Sequence, residues 1–414
     1  MAKVFPFQPY RFTREAGPLE DLLTQPYDKI TPEMRARYLA RSPNNLVRIE
    51  LGERFPSDDP TNNVYTRSQR QLDEWITSGV LAREEKCSFL PYFQTFNAPD
   101  TGERLTRKGF IGLGSVEDYE AGWIFRHERT LTGPKQDRLE LLRHTRAHTG
   151  QIFMLYDDRY GEVDAMLDEA ASARAVGDLE DEYGVQHTIW RVSNERDLGR
   201  IQHAMADKKL LIADGHHRYE TAVAFHRENP SLAGASRVMM TFVNMQSPGL
   251  RILATHRVIH SLPEFDAAGT IERARSVFRV LEMESEDALA ARWREPHRGL
   301  SRIGLALGGR VFLLETDRPA DTLDVTLAEE RILGELFGIG EEAIRENRNL
   351  RYVRGLEAAV HQVREGQAQA AVLLEPTPIE DVARIAFSGG VLPQKSTDFY
   401  PKLLSGVAIY RIEK

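Results

Sequence analysis

The sequence predicts a mixed α/β protein, and three observations carry that expectation. The apolar run Leu210-Leu211-Ile212-Ala213 ends at Asp214-Gly215, and Tyr219, Ala222, Val223 and His226 then recur at three- and four-residue spacing. That pattern reads as strand, tight turn and helix. Cys87 to Phe96 and Arg107 to Val116 read as antiparallel strands joined by Asn97-Ala98-Pro99-Asp100-Thr101-Gly102. Elsewhere apolar runs of strand length alternate with helical periods, which fits neither an all-helical nor an all-strand protein.

Residues 1–23 read as irregular, with Pro6, Pro9 and Pro18. Thr31-Pro32 opens a helix, Thr as its N-cap and Pro in its first turn. Leu46 to Leu51 alternates and predicts a strand, and Asn62 to Ser78 predicts a helix with Tyr65, Leu72 and Trp75 inward. Gly133-Pro134 breaks the chain before a helix over 135–148. A strand over 151–156, a helix over 163–175, a strand over 186–192 and a helix over 194–206 lead to the Asp214 unit. Residues 237–245 form a further buried strand, and 252–259 suits another.

Beyond Ser261-Leu262-Pro263 the pattern predicts helices over 267–280 and 284–294. A hairpin follows, from Ile303 to Leu307 and Val311 to Thr316 around Gly308-Gly309. Helices over 325–337, 356–365 and 379–387 and strands over 370–374 and 407–412 complete the chain. The expected domains are therefore 1–122, 123–262 and 263–414.

Composition excludes several functions. A formal net charge of -8 over 414 residues disfavours a general nucleic-acid binder. Cys87 is the only cysteine, so no disulfide forms within the chain and no cysteine cage holds a metal. No apolar run approaches membrane-spanning length, and the first residues lack a signal-peptide core. A reducing cytoplasm is the expected home; neither membrane nor nucleic acid is expected as a partner, and a homo-oligomer is compatible with the sequence.

The candidate chemistry centres on the Asp214 turn. The first turn of a helix leaves N–H groups unpaired and carries partial positive charge. Gly215 lets the backbone approach an anion, His216 and His217 project from that turn, and Arg218 can grip a phosphate with two parallel hydrogen bonds. Asp214 can hold a metal or accept a proton; the alternative is a helix cap with solvated neighbours.

Glu128, between His127 and Arg129, can serve as a general base for a substrate hydroxyl or pair with Arg126 or Arg129 on the surface. Lys135 and Arg138 bring positive charge to the start of their helix. His144 and His148 have metal-ligand spacing but lack the adjacent Glu of a zinc-protease helix. Gly389 to Ser396 nearly fits a P-loop, yet Gln394 stands where the second glycine belongs and a helix precedes it, so a true P-loop is rejected. Lys395, Ser396, Thr397 and Lys402 still suit phosphate contact, or else form a loop clamped by Phe399 and Tyr400. Asp28, in a Pro-Tyr-Asp loop, can cap or bind substrate. No G-x-S-x-G elbow and no G-x-G-x-x-G after a strand occurs.

Asp214-Gly215-His216-His217-Arg218 after a strand resembles the signature of the ParB/sulfiredoxin-like superfamily, including its free-serine kinases. The wider chain resembles the DUF1015 family of uncharacterised prokaryotic proteins. That resemblance rests on Gln25-Pro26-Tyr27-Asp28-Lys29-Ile30, His127-Glu128-Arg129-Thr130, Pro134-Lys135-Gln136-Asp137-Arg138 and the run from Pro393 to Lys402. It implies a ParB/sulfiredoxin-like core with additional N-terminal and C-terminal α/β regions. It further implies phosphoryl transfer to a small hydroxyl-bearing metabolite such as serine, or from phosphoserine, with a nucleotide or other phosphorylated ligand at Gly215 to Arg218. By that likeness Asp214 steers the acceptor hydroxyl or a Mg²⁺, and His217 and Arg218 stabilise the transferred phosphoryl group. The rival implication is a non-catalytic, nucleotide- or ligand-binding regulator associated with DNA. Arg218, Lys395 and either Lys135 or Arg138 are expected in one cleft, with Asp214 and Glu128 at its wall.

Overall fold

The computed structural model describes residues 3–128, 132–297, 299–319 and 322–413. It divides into two compact units, Met1–Arg251 with Pro401–Lys414, and Ile252–Tyr400. Both are mixed α/β, as the alternating pattern implies.

The first unit is built on a nine-stranded sheet. Its order is Ile124–Phe125, Leu210–Asp214, Ile152–Tyr156, Arg237–Asn244, Arg104–Ser115, Leu90–Asn97, Gln186–Ile189 and Gly177–Glu180, with Val4–Phe5 also on Arg104–Ser115. Ile152–Tyr156 runs parallel to Arg237–Asn244 and Leu210–Asp214 runs parallel to Ile124–Phe125. The expected hairpin forms, with Leu90 to Asn97 opposite Arg104 to Ile111. The central strands are apolar and buried on both faces, as strands covered on both sides must be. Phe110, Met154, Ile212 and Phe242 form the core with Tyr219 and Ala222 of the helix His216–Glu228.

The domain boundaries expected at 122 and 262 do not hold. Arg237–Asn244 pairs with Arg104–Ser115 from Arg237↔Ser115 to Val243↔Gly109, so the first two expected domains share one sheet. Interleaved strands share one set of backbone hydrogen bonds and cannot be separate folding layers. The second unit begins earlier than expected, because Thr255–Ile259 is an inner strand of its own sheet.

Two local departures place functional side chains. Residues 46–51 form a one-turn helix, Val47–Glu50, instead of a strand. The Asn45 side chain accepts from Val47 N at 2.9 Å and donates to Asp21 O at 2.7 Å, a helix-start signal that outweighs the alternation. Leu46, Val47, Ile49 and Glu50 are all buried there. The helix expected over 135–148 spans Thr132–Thr145; Arg146 turns at φ 46° and Ala147–His148 pairs with Tyr410–Arg411. His144 and His148 therefore do not share a helix face.

The last residues return to the first unit. Ser405 N donates to Thr24 O, Gly406 N to Thr149 O, Ile409 N to Tyr10 O and Ile412 N to Arg146 O. Leu403, Leu404, Val407, Ala408, Ile409 and Ile412 are buried.

The second unit holds a six-stranded antiparallel sheet in the order Arg279–Met283, Arg310–Asp317, Leu300–Leu307, Ala370–Leu373, Thr255–Ile259 and Leu350–Arg354. The Gly308-Gly309 hairpin forms as expected. The helix predicted over 325–337 is α-helical at Asp324–Leu327 and π-helical from Ala328 to Leu336.

Candidate functional site

The site of the first unit begins at the end of the strand Leu210–Asp214. The register shifts between Ile212 and Asp214, so the strand bulges at its last residue and re-aims that carboxylate. Gly215 follows at φ 92°, a left-handed conformation that glycine adopts without penalty, and is the N-cap of His216–Glu228 without a capping side chain. The first-turn N–H groups are thus left for other acceptors. Arg218 folds back over the turn. Its Nη2 lies 2.9 Å from Asp214 Oδ2, and its Nη1 donates to Gln151 O. A Cβ at Gly215 would lie 3.1 Å from Arg218 Nε.

Lys402 Nζ, from the returning C-terminal segment, lies 3.5 Å from Asp214 Oδ1. Burial alone would raise the Asp214 carboxyl; Lys402 first, then Arg218 and Lys29, hold it well below the usual carboxylate range. Asp214 is therefore an ionised carboxylate on which three cationic side chains bear.

Arg218 also lines a cavity of about 50 Å³ with Tyr27, Glu50, Arg138, Thr149, Gly150 and Thr221 among its walls. Arg138 Nη1 lies 3.0 Å from Glu50 Oε2, and both side chains are buried. Thr149 Oγ1 donates to the other oxygen of Glu50. The Arg138 guanidinium stacks over the Tyr27 ring at 4.3 Å. Burial pushes the Tyr27 phenol up to about 12 against the pull of Arg218, so it stays a proton donor at neutral pH. A Cβ on Gly150 would meet Ser405 Oγ at 3.1 Å and Arg218 Nη1 at 3.3 Å, so a side chain there would press on the Arg218 guanidinium.

The other candidates divide. His216 is buried, its ring 4.8 Å from that of His127, and its pKa is pushed well below the ordinary value first by burial and then by His127. His127 Nδ1 lies 2.8 Å from Ile212 O, and burial pushes its pKa down to about 4. Both rings are neutral packing groups behind the turn. His217 and Glu128 are partly buried; Arg129 and Thr130 lie outside the described residues. Lys135 pairs with Glu220 and lines a different cavity with Tyr119 and Arg126, so Arg138 and not Lys135 joins Arg218. Asp28 is exposed; its neighbours Tyr27 and Lys29 are the members of that loop that reach the site.

Lys395, Ser396 and Thr397 belong to the second unit. There the buried Arg257 donates to the carbonyls of Gln394 and Lys395 at 3.3 and 3.4 Å, and Ser396 Oγ donates to Pro393 O at 2.6 Å. The Ser396 hydroxyl is engaged by its own loop, and Lys395 takes a left-handed φ of 58°.

Glu50, Tyr27 and Lys29 escaped assignment from sequence. Glu50 lies in a run whose alternation reads as a strand but forms a helical turn, and a charged residue in such an apolar run is a signal of a buried pair. Among the described residues no three His, Cys, Asp or Glu side chains gather as a metal site.

The family model described as a protein of unknown function (DUF1015) matches residues 4–331. The chain belongs to the DUF1015 family. None of the curated proteins matches it. Among solved structures, a conserved hypothetical protein from Pyrococcus furiosus is 15% identical, with 67% of this chain and 87% of that one covered and a TM-score of 0.35. A free serine kinase in complex with AMP is 14% identical, with 70% and 88% covered and a TM-score of 0.37. SbnI with a C-terminal truncation, from Staphylococcus aureus, is 11% identical, with 71% and 85% covered and a TM-score of 0.33. No helix among the described residues is long and apolar enough to cross a membrane.

Proposed function

We propose that this DUF1015 protein is a phosphoryl-transfer enzyme acting on a small hydroxyl-bearing metabolite, with a nucleotide or other phosphorylated ligand as the second reactant. Serine and phosphoserine are the first acceptor and donor to try, following the likeness of the Asp-Gly-His-His-Arg motif. The observation that carries the reading is the pair Arg218 and Arg138 lining one cavity, with Arg218 in the first turn of a helix whose N-terminus no side chain caps. A cavity of about 50 Å³ suits a compact oxyanion such as a phosphoryl group.

Phosphoryl transfer asks the protein chiefly for positioning and charge stabilisation. Arg218 and Arg138 supply positive charge for the equatorial oxygens, and the first turn of His216–Glu228 supplies N–H groups and a favourable dipole. Asp214, held ionised, accepts the acceptor hydroxyl's hydrogen bond. Lys402 and Lys29 fix that carboxylate and offset charge on the incoming group. Glu50 and Thr149 keep Arg138 in place. The described donor set does not build a Mg²⁺ site: Arg218 and Lys402 face the two oxygens of Asp214. The residues fit an anion better than a cation, and no step here runs through a metal.

The test is ³¹P NMR of the protein with ATP or ADP and a panel of hydroxyl metabolites, serine first, and with phosphoserine in reverse. Turnover lost at least 100-fold in the folded Asp214→Asn variant, beyond what any loss of stability explains, is the expected result. ADP binding without turnover of any acceptor would make the protein a ligand sensor and overturn the enzyme reading.

A further inference from the structure

Beneath the Asp214 turn lies a buried polar network that none of the candidate roles uses. Arg107 is fully buried in the sheet, with its guanidinium 4.5 Å over the Phe153 ring. Its Nε donates to Gln94 Oε1 at 3.1 Å and its Nη2 to Gln94 Oε1 and, at 2.6 Å, to Pro401 O. Gln94 Nε2 donates to Lys402 O at 2.8 Å. Two adjacent carbonyls of the segment that carries Lys402 are thus held by one Arg–Gln pair.

The network continues to the other lysine-bearing segment. His187 Nδ1 lies 2.6 Å from Tyr92 Oη and 3.4 Å from Gln94 Nε2, and its Nε2 lies 3.2 Å from Asp181 Oδ2. With Asp181 as acceptor, Nε2 carries the ring proton and Nδ1 accepts from Tyr92. Asp181 Oδ2 also accepts from Gln25 Nε2 at 3.1 Å. Gln25 is buried four residues before Lys29. Both lysines that bear on Asp214 therefore stand on backbone fixed to one chain of side chains: Gln25, Asp181, His187, Gln94 and Arg107.

We propose that Gln94 and Arg107 are positioning residues for Lys402, holding its ammonium on Asp214, while His187 and Asp181 anchor Gln25 of the segment that leads to Lys29. The placement of these groups argues for this role over a purely structural one. A buried cation costs several kcal/mol to desolvate and is often replaceable by an apolar side chain. Arg107 Nη1 meets no hydrogen-bond acceptor among the described residues, so the guanidinium is not there to complete its own bonds. Burial lowers its pKa to about 9, which still leaves it charged at neutral pH. Its two satisfied nitrogens converge on Gln94 and Pro401, as a clamp on the returning segment requires.

This inference takes the role of Asp214 from the proposed function, but the geometry it asserts can be read without turnover. Two measurements on Gln94→Ala, Lys402→Met and the double variant decide it. The first is the side-chain ammonium resonance of Lys402 in ¹⁵N-labelled protein, assigned by its loss in Lys402→Met. Gln94→Ala should broaden or shift that resonance while the methyl resonances of Ile152 and Ile212 stay in place. The second is ADP affinity. Each single variant should weaken it about tenfold, and the double variant no more than Lys402→Met alone, because Gln94 acts through Lys402. Gln94→Glu, which keeps an acceptor for Arg107 and loses the donor to Lys402 O, should give the same resonance shift if Gln94→Ala does not fold. An unmoved Lys402 resonance in the folded Gln94 variants overturns the proposal, and so do additive losses of affinity. Absence of any ADP binding by the wild-type protein counts against the proposed function alone, since the resonance test still reads the positioning.

Discussion

At the scale of single residues, the pair Glu50 and Arg138 carries the sharpest expectation. Their side chains are 6% and 8% exposed, and the ion pair spans 3.0 Å. Breaking a buried pair costs about 3–5 kcal/mol where the partner is left uncompensated, and Asp137, whose Oδ2 lies 2.9 Å from Arg138 Nε, keeps the loss of Glu50 toward the lower end of that range. Glu50→Gln should therefore destabilise the first unit by that order in urea unfolding, and Glu50→Gln with Arg138→Met should recover most of the loss. A double variant as unstable as the single one would mean that the pair holds its surroundings by packing and not by charge. Little of this pair was legible in the sequence. Arg138 was visible as a cation at a helix start, whereas Glu50 sat in what reads as an alternating strand. The alternation failed because the Asn45 side chain accepts from Val47 N and turns the chain into a single helical turn, a local hydrogen bond that apolar spacing does not register.

Elements were easier to read where one period ran unbroken. The strand–turn–helix at Asp214, the hairpin around residues 97–102 and the hairpin at Gly308-Gly309 formed as expected, since each is a local pattern with its own turn chemistry. Pairings between distant strands were not legible, which is why one sheet was divided into two domains. Two expectations belong to this scale. Gly215→Ala places a side chain at φ 92°, a conformation that costs an L residue about 1–2 kcal/mol, with its Cβ 3.1 Å from Arg218 Nε. Calorimetry should find phosphate or ADP binding lost well beyond what that modest destabilisation explains; retained affinity would show that Arg218 can leave the turn without consequence. The second concerns the segment from Pro401 onward. It buries Leu403, Leu404, Val407, Ala408, Ile409 and Ile412 in the first unit, and each fully buried Leu, Val or Ile side chain is worth about 1.5–3 kcal/mol. A protein ending at Tyr400 should fail to fold its first unit, seen as loss of hydrogen-exchange protection in the strands Ile152–Tyr156 and Arg237–Asn244.

For the whole molecule, acid should act unequally on the two units. In the first unit burial pushes the His127 pKa from 6.5 down to about 4. The unfolded chain then takes up the proton first as the pH falls. The stability due to this histidine is complete above about 6.5 and is lost between 6.5 and 4, at up to about 1.4 kcal/mol per pH unit. His256 in the second unit is pushed down to about 4 in the same way, by burial and then by Arg257. There, however, Glu329 works in the opposite direction. Burial raises its carboxyl from 4.5 to about 7 despite the nearby Arg257, so the folded state binds the proton first. Stability from Glu329 is gained as the pH falls through 7 and is complete near 4.5, which offsets His256 over most of the same window. Between pH 7 and 4.5 the first unit should therefore lose stability steeply and the second only weakly, as read by hydrogen exchange followed separately in Ile152–Tyr156 and Leu300–Leu307. Glu329→Gln supplies the control: with the carboxyl gone, the offset to His256 is lost and the acid slope of the second unit should steepen. An unchanged slope in Glu329→Gln would mean that Glu329 is ionised in the folded protein throughout this range, and that its contact with Arg257 outweighs its burial.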